Sequence, residues 1–262
     1  MSRSKQSEKS RNLLYLILFL LVVAGIAVSA FMVHRKVQEK EQGIPSEAEK
    51  LRMTVYGELS EEALLERLKA SVVRIEAEAA DPVNGTSMVG NGVILEVAED
   101  YIDIVTARHV VEETAKPLVY FYDGSLAYGS VLAYGKQNDV AFVRVEVQVM
   151  AQGVGESIKP AKCADNDYYD AVQPEAEIIM LGSATIVSDT VLPGKVKETE
   201  LYIDLFGNYM LICDVPVNDG MSGGGTFSTD GRLLGIIVGT NDVDTVNVAV
   251  TDMMAEYRSV SQ

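Results

Sequence analysis

Three residues of this chain have the types and the setting needed for acyl transfer. Ser222 lies in the run Gly220-Met221-Ser222-Gly223-Gly224-Gly225. His109 follows the apolar stretch Val105-Thr106-Ala107-Arg108. Asp139 opens the apolar stretch Val140-Ala141-Phe142-Val143-Arg144-Val145. A serine hydroxyl is a poor nucleophile at neutral pH and needs an adjacent base. The chain holds two histidines, His34 and His109. His34 abuts a long apolar segment, so His109 is the base available to a folded domain. A neutral imidazole needs a fixed tautomer, which a carboxylate on its other nitrogen provides. Asp139 is in place for that, at the head of a strand.

The glycines have their own use. An oxyanion hole needs backbone N–H groups aimed at one point, and glycine reaches the required dihedrals without strain. Gly220 and Ser222 are the candidate donors. The chain order is His, Asp, Ser. That differs from the order Ser, acid, His of the α/β-hydrolases, and Gly-Met-Ser-Gly-Gly is not their nucleophile elbow.

Elements must position these groups. Val72–Ile75, Val93–Leu95, Ile102–Val105, Leu118–Phe121 and Asp139–Val145 read as strands. So do Ile178–Leu181, Gly194–Val196, Leu201–Phe206, Tyr209–Cys213, Leu233–Val238 and Thr245–Val250. Turn residues such as Asp123-Gly124, Gly207-Asn208 and Asp230-Gly231 separate them. Many short strands divided by turns predict an all-β sandwich or barrel pair. One helix is expected, Ser60–Lys69, with Ser60 as cap and Leu64, Leu65 and Leu68 on one apolar face that packs on its own domain.

Composition narrows the partners. The 262 residues carry 22 Lys and Arg against 38 Asp and Glu, a formal charge of −16. Such a balance speaks against nucleic acid as a partner. Two cysteines and two well-separated histidines cannot make a zinc cluster. No P-loop, dinucleotide fingerprint or EF-hand is present, so no metal or organic cofactor is implied. Cys163 and Cys213 read either as a disulfide or as two buried thiols.

Residues Asn12–Val33 form an uncharged apolar stretch, and about 20 helical residues suffice to cross a bilayer. Arg3, Lys5, Lys9 and Arg11 precede it. The positive-inside rule places the N-terminus in the cytoplasm and the rest of the chain outside it. A cleaved signal peptide ending near Val28-Ser29-Ala30 is the competing reading, but the apolar run exceeds a usual signal core of roughly 7–15 residues. The expected organisation is therefore a cytoplasmic tail over 1–11, a signal anchor over 12–33, a stalk over 34–59 and one domain over 60–262. The expected location is the cell membrane, single-pass.

From Val72 to Met254 the chain resembles trypsin-like serine proteases of the HtrA/Deg type. Thr106-Ala107-Arg108-His109-Val110-Val111 is similar to that family's histidine motif. Asn138–Val145 is similar to its aspartate strand, and Asp214–Gly225 to its serine segment. Gly90-Asn91-Gly92-Val93-Ile94 resembles its early Gly-Ser-Gly strand, Asp230–Ile236 its post-serine hairpin, and Val248-Ala249-Val250 its Phe-Ala-Ile strand. The resemblance implies two six-stranded β-barrels with the site between them. It implies His109 as general base, Asp139 as its orienter and Ser222 as nucleophile in a serine endopeptidase acting on polypeptides. It also implies that the strand at Ile236, Ile237 and Val238 pairs with the substrate main chain, with a small aliphatic residue at the cleavage position. A homotrimer follows by family analogy alone.

The match departs at Met221, where relatives usually carry Asn or Asp, which bears on the order of the oxyanion loop. It departs again at Gly225, where Pro or Ala is commoner, which predicts a looser turn. It stops at Gln262, short of the PDZ domain many relatives carry. Two rival readings stand beside the peptidase. One is a pseudoprotease that binds peptides without cutting them. The other is an esterase or acyl transferase on the same three residues.

Overall fold

The computed structural model describes residues 60–80, 85–114, 116–150, 155, 157–185, 188–241 and 243–261. The tail, anchor and stalk expected over 1–59 lie outside the described residues. Among those described, no helix is long and apolar enough to cross a membrane.

Helix α1 (Glu61–Lys69) forms where expected. Ser60 caps it by accepting from Ala63 N at 3.3 Å, and Glu61 and Glu62 suit the positive end of the helix dipole. Its Leu64 and Leu68 are buried in the core of its own domain.

The first sheet joins β1 (Val72–Ala77), β2 (Met88–Val97), β3 (Tyr101–Ala107), β4 (Leu118–Tyr120), β5 (Leu126–Tyr128), β6 (Ser130–Tyr134) and β7 (Val140–Glu146). Its order is β5-β4-β1-β2-β3-β7-β6. Between β3 and β7 comes helix α2 (Arg108–Val111). β5 and β6 are one bent strand broken at Gly129. Its first half pairs with β4 and its second half with β7, and Gly129 N bonds Pro117 O at 2.9 Å. Counted so, six strands close into a barrel. A Cβ on Gly129 would stand 2.6 Å from Val143 Cγ1, so the bend requires glycine.

The second sheet contains β8 (Lys162–Cys163), β9 (Glu177–Thr185), β10 (Ser188–Ile203), β11 (Asn208–Cys213), β12 (Gly225–Ser228), β13 (Arg232–Thr240) and β14 (Thr245–Ala249). The order β12-β9-β10-β11-β14-β13 is closed by the β12–β13 pairing, and β8 lies parallel to β13 outside that ring. A short helix α3 (Asn166–Asp170) follows β8, and α4 (Val250–Arg258) follows β14.

Three expectations are corrected here. The strands expected at Gly194–Val196 and Leu201–Phe206 are one strand, β10, and the chain turns at Asp204–Gly207 rather than continuing to Phe206. Val250 begins helix α4 instead of ending a strand. The turn at Gly225 is not loose: Gly225 pairs with Leu181 on one side and Ile236 on the other. A Cβ there would meet the buried Phe227 ring at 2.5 Å, so glycine makes room for the phenylalanine.

Both barrels are filled by apolar side chains, with a polar seam along the first. Asp103 is buried and accepts two bonds from Arg144, each 2.7 Å. The Arg144 guanidinium lies 3.8 Å from the Tyr101 ring centroid. Tyr257 of α4 donates to Asp103 Oδ2 at 2.7 Å, fastening the C-terminal helix to the first barrel. Burying a charge is tolerated when its partners are this complete.

Candidate active site

The register of β3 against β7 pairs Ala107 with Val140. It therefore brings the residue just before β7, Asp139, beside the residues just after β3. Helix α2 starts there, and its first N–H groups need acceptors. Asp139 supplies them. Its carbonyl accepts from Arg108 N at 3.2 Å, and its Oδ1 accepts from His109 N at 3.1 Å. Its Oδ2 faces His109 Nδ1 at 2.7 Å. One carboxylate thus caps the helix and holds the ring. The neutral imidazole is consequently protonated at Nδ1, which leaves Nε2 as the basic nitrogen. The His109 side chain is 33% exposed. The Asp139 hydrogen bond holds His109 above its ordinary pKa; burial pulls the other way, and the charges of Asp139 and Glu112 add to the rise.

The serine loop stands on the second barrel and leans on the first. Gly220 has φ 88° and Gly223 has φ 83°, both in the left-handed region that glycine adopts freely. At Gly223 space makes the same demand, since a Cβ would lie 2.0 Å from Asn91 O. Gly223 N donates to Ile237 O at 2.7 Å and Ile237 N to Gly224 O at 2.9 Å, which seats the loop on β13. From the first barrel, Asn91 of β2 donates its backbone N–H to Ser222 O at 2.7 Å and its side-chain Nδ2–H to Gly220 O at 2.7 Å. Thr106 Oγ1, three residues before His109, donates to Asn91 O at 2.6 Å.

Gly90 is where the two halves meet. A Cβ on it would stand 2.7 Å from Val110 Cγ2, beside His109, and 2.8 Å from Ser222 O. His109, Asp139 and Ser222 therefore gather around one seam. Among the described residues no hydrogen bond joins Ser222 Oγ to His109 Nε2. That contact commonly tightens only with substrate in place.

The backbone N–H of Met221 bonds Asn218 O at 3.2 Å. Among the described residues those of Gly220 and Ser222 have no protein acceptor. The two amides expected to face an oxyanion are thus among those of the loop left available. Met221 itself is fully buried. Cys163 and Cys213 are free thiols, pushed up by burial to about 11 and about 12, so neither is a nucleophile at neutral pH.

Ile236, Ile237 and Val238 stand differently from one another. Ile236 pairs with Gly225 and Val248, and Ile237 bonds Gly223 and Gly224 on one side and pairs with Asn247 on the other. Pairing with β12 ends before Val238, so the edge of β13 that can receive another strand begins there and runs to Thr240. Sequence reasoning did not single out Asn91 or Thr106 for a role. Their signal was the glycine pair around Asn91, which marks a close backbone approach.

Two closed β-barrels with a histidine–aspartate pair and a glycine-flanked serine at their seam are the architecture of the trypsin-like peptidase domains. Residues 90–236 match the trypsin-like peptidase domain family, and the chain belongs to it. It is 30% identical over 160 residues to the serine protease HtrA-like of Staphylococcus epidermidis, covering 57% of this chain and 26% of that protein. It is 26% identical over 184 residues to the serine protease HtrA-like of Staphylococcus aureus, covering 64% and 23%. The chain thus spans about a quarter of the length of these curated relatives. Among solved structures, the fold is similar to the HtrA-type protease AlgW with tripeptide, at TM-score 0.60 and 17% identity over 74% of this chain and 60% of that one. It is also similar to the Rv3671c protease from M. tuberculosis in its active form, at TM-score 0.61 and 19% identity over 75% and 83%.

Proposed function

We propose that this chain is a membrane-anchored serine endopeptidase that cuts extended or unfolded polypeptides outside the cytoplasm. The observation that carries the reading is the doubly bonded Asp139–His109 pair facing a loop whose Gly220 and Ser222 amides are available. In the proposed cycle, His109 Nε2 takes the Ser222 Oγ proton as Oγ adds to the substrate carbonyl carbon. The resulting oxyanion lies against the Gly220 and Ser222 N–H groups. His109 then passes the proton to the leaving amine as the C–N bond breaks, which leaves an acyl-enzyme. Water, deprotonated by the same nitrogen, adds to the acyl carbon; the C–Oγ bond then breaks, Ser222 Oγ takes the proton back from Nε2, and the acid leaves. Substrate adds as a strand along the open edge of β13 from Val238 to Thr240. The apolar surroundings of that edge favour a small aliphatic residue at the cleavage position. Anchoring rests on the apolar segment 12–33 with its basic N-terminal flank.

The test compares the full chain in detergent with its Ser222→Ala variant, using unfolded casein and a fluorophosphonate. Cleavage and labelling that both vanish in the variant support the reading. Labelling without cleavage marks a competent nucleophile in a closed conformation, while neither signal in the wild type favours the second reading, a peptide-binding relative of a peptidase, for which the unmade Ser222–His109 bond speaks. Cleavage that persists in the variant overturns both.

A further inference from the structure

We infer that Asn91 is a positioning residue that sets the oxyanion loop from the opposite barrel. The inference rests on the peptidase reading above. In a loop of this kind each peptide unit has two orientations, and only one turns its N–H toward the reacting carbonyl. What fixes the orientation is where the carbonyls go. Here three successive carbonyls are bonded: Gly220 O to Asn91 Nδ2, Met221 O to Gly224 N at 3.0 Å, and Ser222 O to Asn91 N. Asn91 supplies the first and the third.

The loop's own side chains do not do this. Met221 is buried and carries no strong donor, while Asn218 and Asp219 are exposed to solvent. Asn91, in contrast, is fully buried and held in a fixed frame. Thr106 bonds its carbonyl, and its amide group packs on the glycine face of β9, where a Cβ on Gly182 would stand 3.2 Å from Nδ2. Met221 Cε lies on the same glycine, 3.4 Å from that position, so the apolar side chain fills the space beside the amide rather than competing for it. Gly220, with no Cβ, meets little resistance to rotation once its carbonyl is released. A freed Gly220 carbonyl can then turn toward the hole, and the available donors fall out of line.

The clamp acts on the donor of the side chain, not on its bulk. Asn91→Asp keeps the shape and the backbone bond but sets an acceptor against Gly220 O. Asn91→Ser is the milder partner should the aspartate fold poorly. Using the full chain, both variants are expected to lower kcat by roughly 10- to 100-fold with KM within about twofold, below the 10²–10³ lost when an oxyanion donor is removed outright. Fluorophosphonate labelling should slow by the same factor.

Hydrogen exchange in the peptic fragment covering 218–224 gives a readout that needs no turnover. It should speed up in both variants while fragments from β3, β7 and β10 keep their wild-type rates. An inactive, unlabelled wild type sinks the peptidase reading alone, because the exchange comparison still tests the clamp. Unchanged exchange at 218–224 overturns the clamp. So does exchange that quickens everywhere, since that marks Asn91 as a packing residue only.

Discussion

The histidine–aspartate half of the site is built by one barrel, from two neighbouring strands in register and a helix whose first amides are capped by the carboxylate. The serine half is built by two. Its loop runs into β12 and is bonded to β13, but two of its carbonyls are held by Asn91 across the seam. The first half is local to a single sheet and carries its own restraints. The second is the place where the packing of one barrel on the other enters the chemistry. Damage to the barrel seam should therefore disturb the nucleophile before it disturbs the base.

The largest expected effect comes from inside the self-contained half. Asp139→Asn keeps the shape but favours the wrong tautomer of His109, and kcat should fall by about 10⁴-fold with the fold intact, read by steady-state kinetics and circular dichroism. Next comes the serine loop. Gly223→Ala forces a Cβ onto Asn91 O at a positive φ. Activity should drop by roughly 10²-fold or more as the oxyanion donors are displaced. A wild-type rate would mean the loop does not need the seam.

Gly90→Ala strikes both halves at once, through Val110 and Ser222 O. Overpacking of this kind costs about 1–3 kcal/mol, seen as a lower melting temperature together with lost activity. Glu256→Ala sharpens the contrast from the other side. Glu256 of α4 accepts from Lys136 N at 2.6 Å and Asn138 Nδ2 at 2.8 Å, and Asn208 Nδ2 bonds Asn138 Oδ1 at 2.7 Å. These contacts reach the chain just ahead of Asp139 from the C-terminal helix and the second barrel. A self-contained half should lose stability in this variant while keeping activity within about threefold; a larger loss of activity would show that Asp139 too depends on the seam.

The smallest effect is on pH. Catalysis needs neutral His109, so kcat/KM should rise with pH through an apparent pKa above the ordinary histidine value, since Asp139 raises it. Glu112→Gln should move that midpoint slightly down, by removing the smallest of the raising influences. Stability runs the opposite way. A pKa raised by folding stabilises the native state fully below the unfolded pKa of about 6.5, and that contribution is lost as pH climbs through the folded value. The melting temperature and the rate should cross in opposite directions over that window, and Asp139→Asn should flatten the thermal part.

Much of this was legible in the chain. His109, Asp139 and Ser222 could be picked out as candidates because the roles proposed for them demand particular residue types next to strand ends and glycines, and both conditions are local. The strands of β1, β3, β7, β11 and β13 were readable from short apolar runs. The joined β5–β6 strand was not, because Gly129 interrupts the apolar pattern at the bend that closes the barrel. Helix α4 was not, because Val248-Ala249-Val250 reads as one strand whichever way the backbone turns after Ala249. Ile236 and Ile237 looked available for substrate, but sequence carries no record of which strand edges the chain itself has already used.

The sequence by itself determined the candidate chemistry: the residue types suited to act as base, acid and nucleophile, the glycines that let a backbone turn there, and an all-β scaffold of short strands. Tertiary structure decided how the groups are held. That Asp139 caps the helix of His109 follows from the β3–β7 register, and that Asn91 grips Gly220 and Ser222 follows from packing one barrel against another, with Asn91 and Gly220 129 positions apart in sequence. The physical reason is that residue type and local pattern constrain dihedrals and polarity over a few neighbours. A 2.7 Å hydrogen bond across that separation exists only when two closed barrels bring their surfaces into one seam.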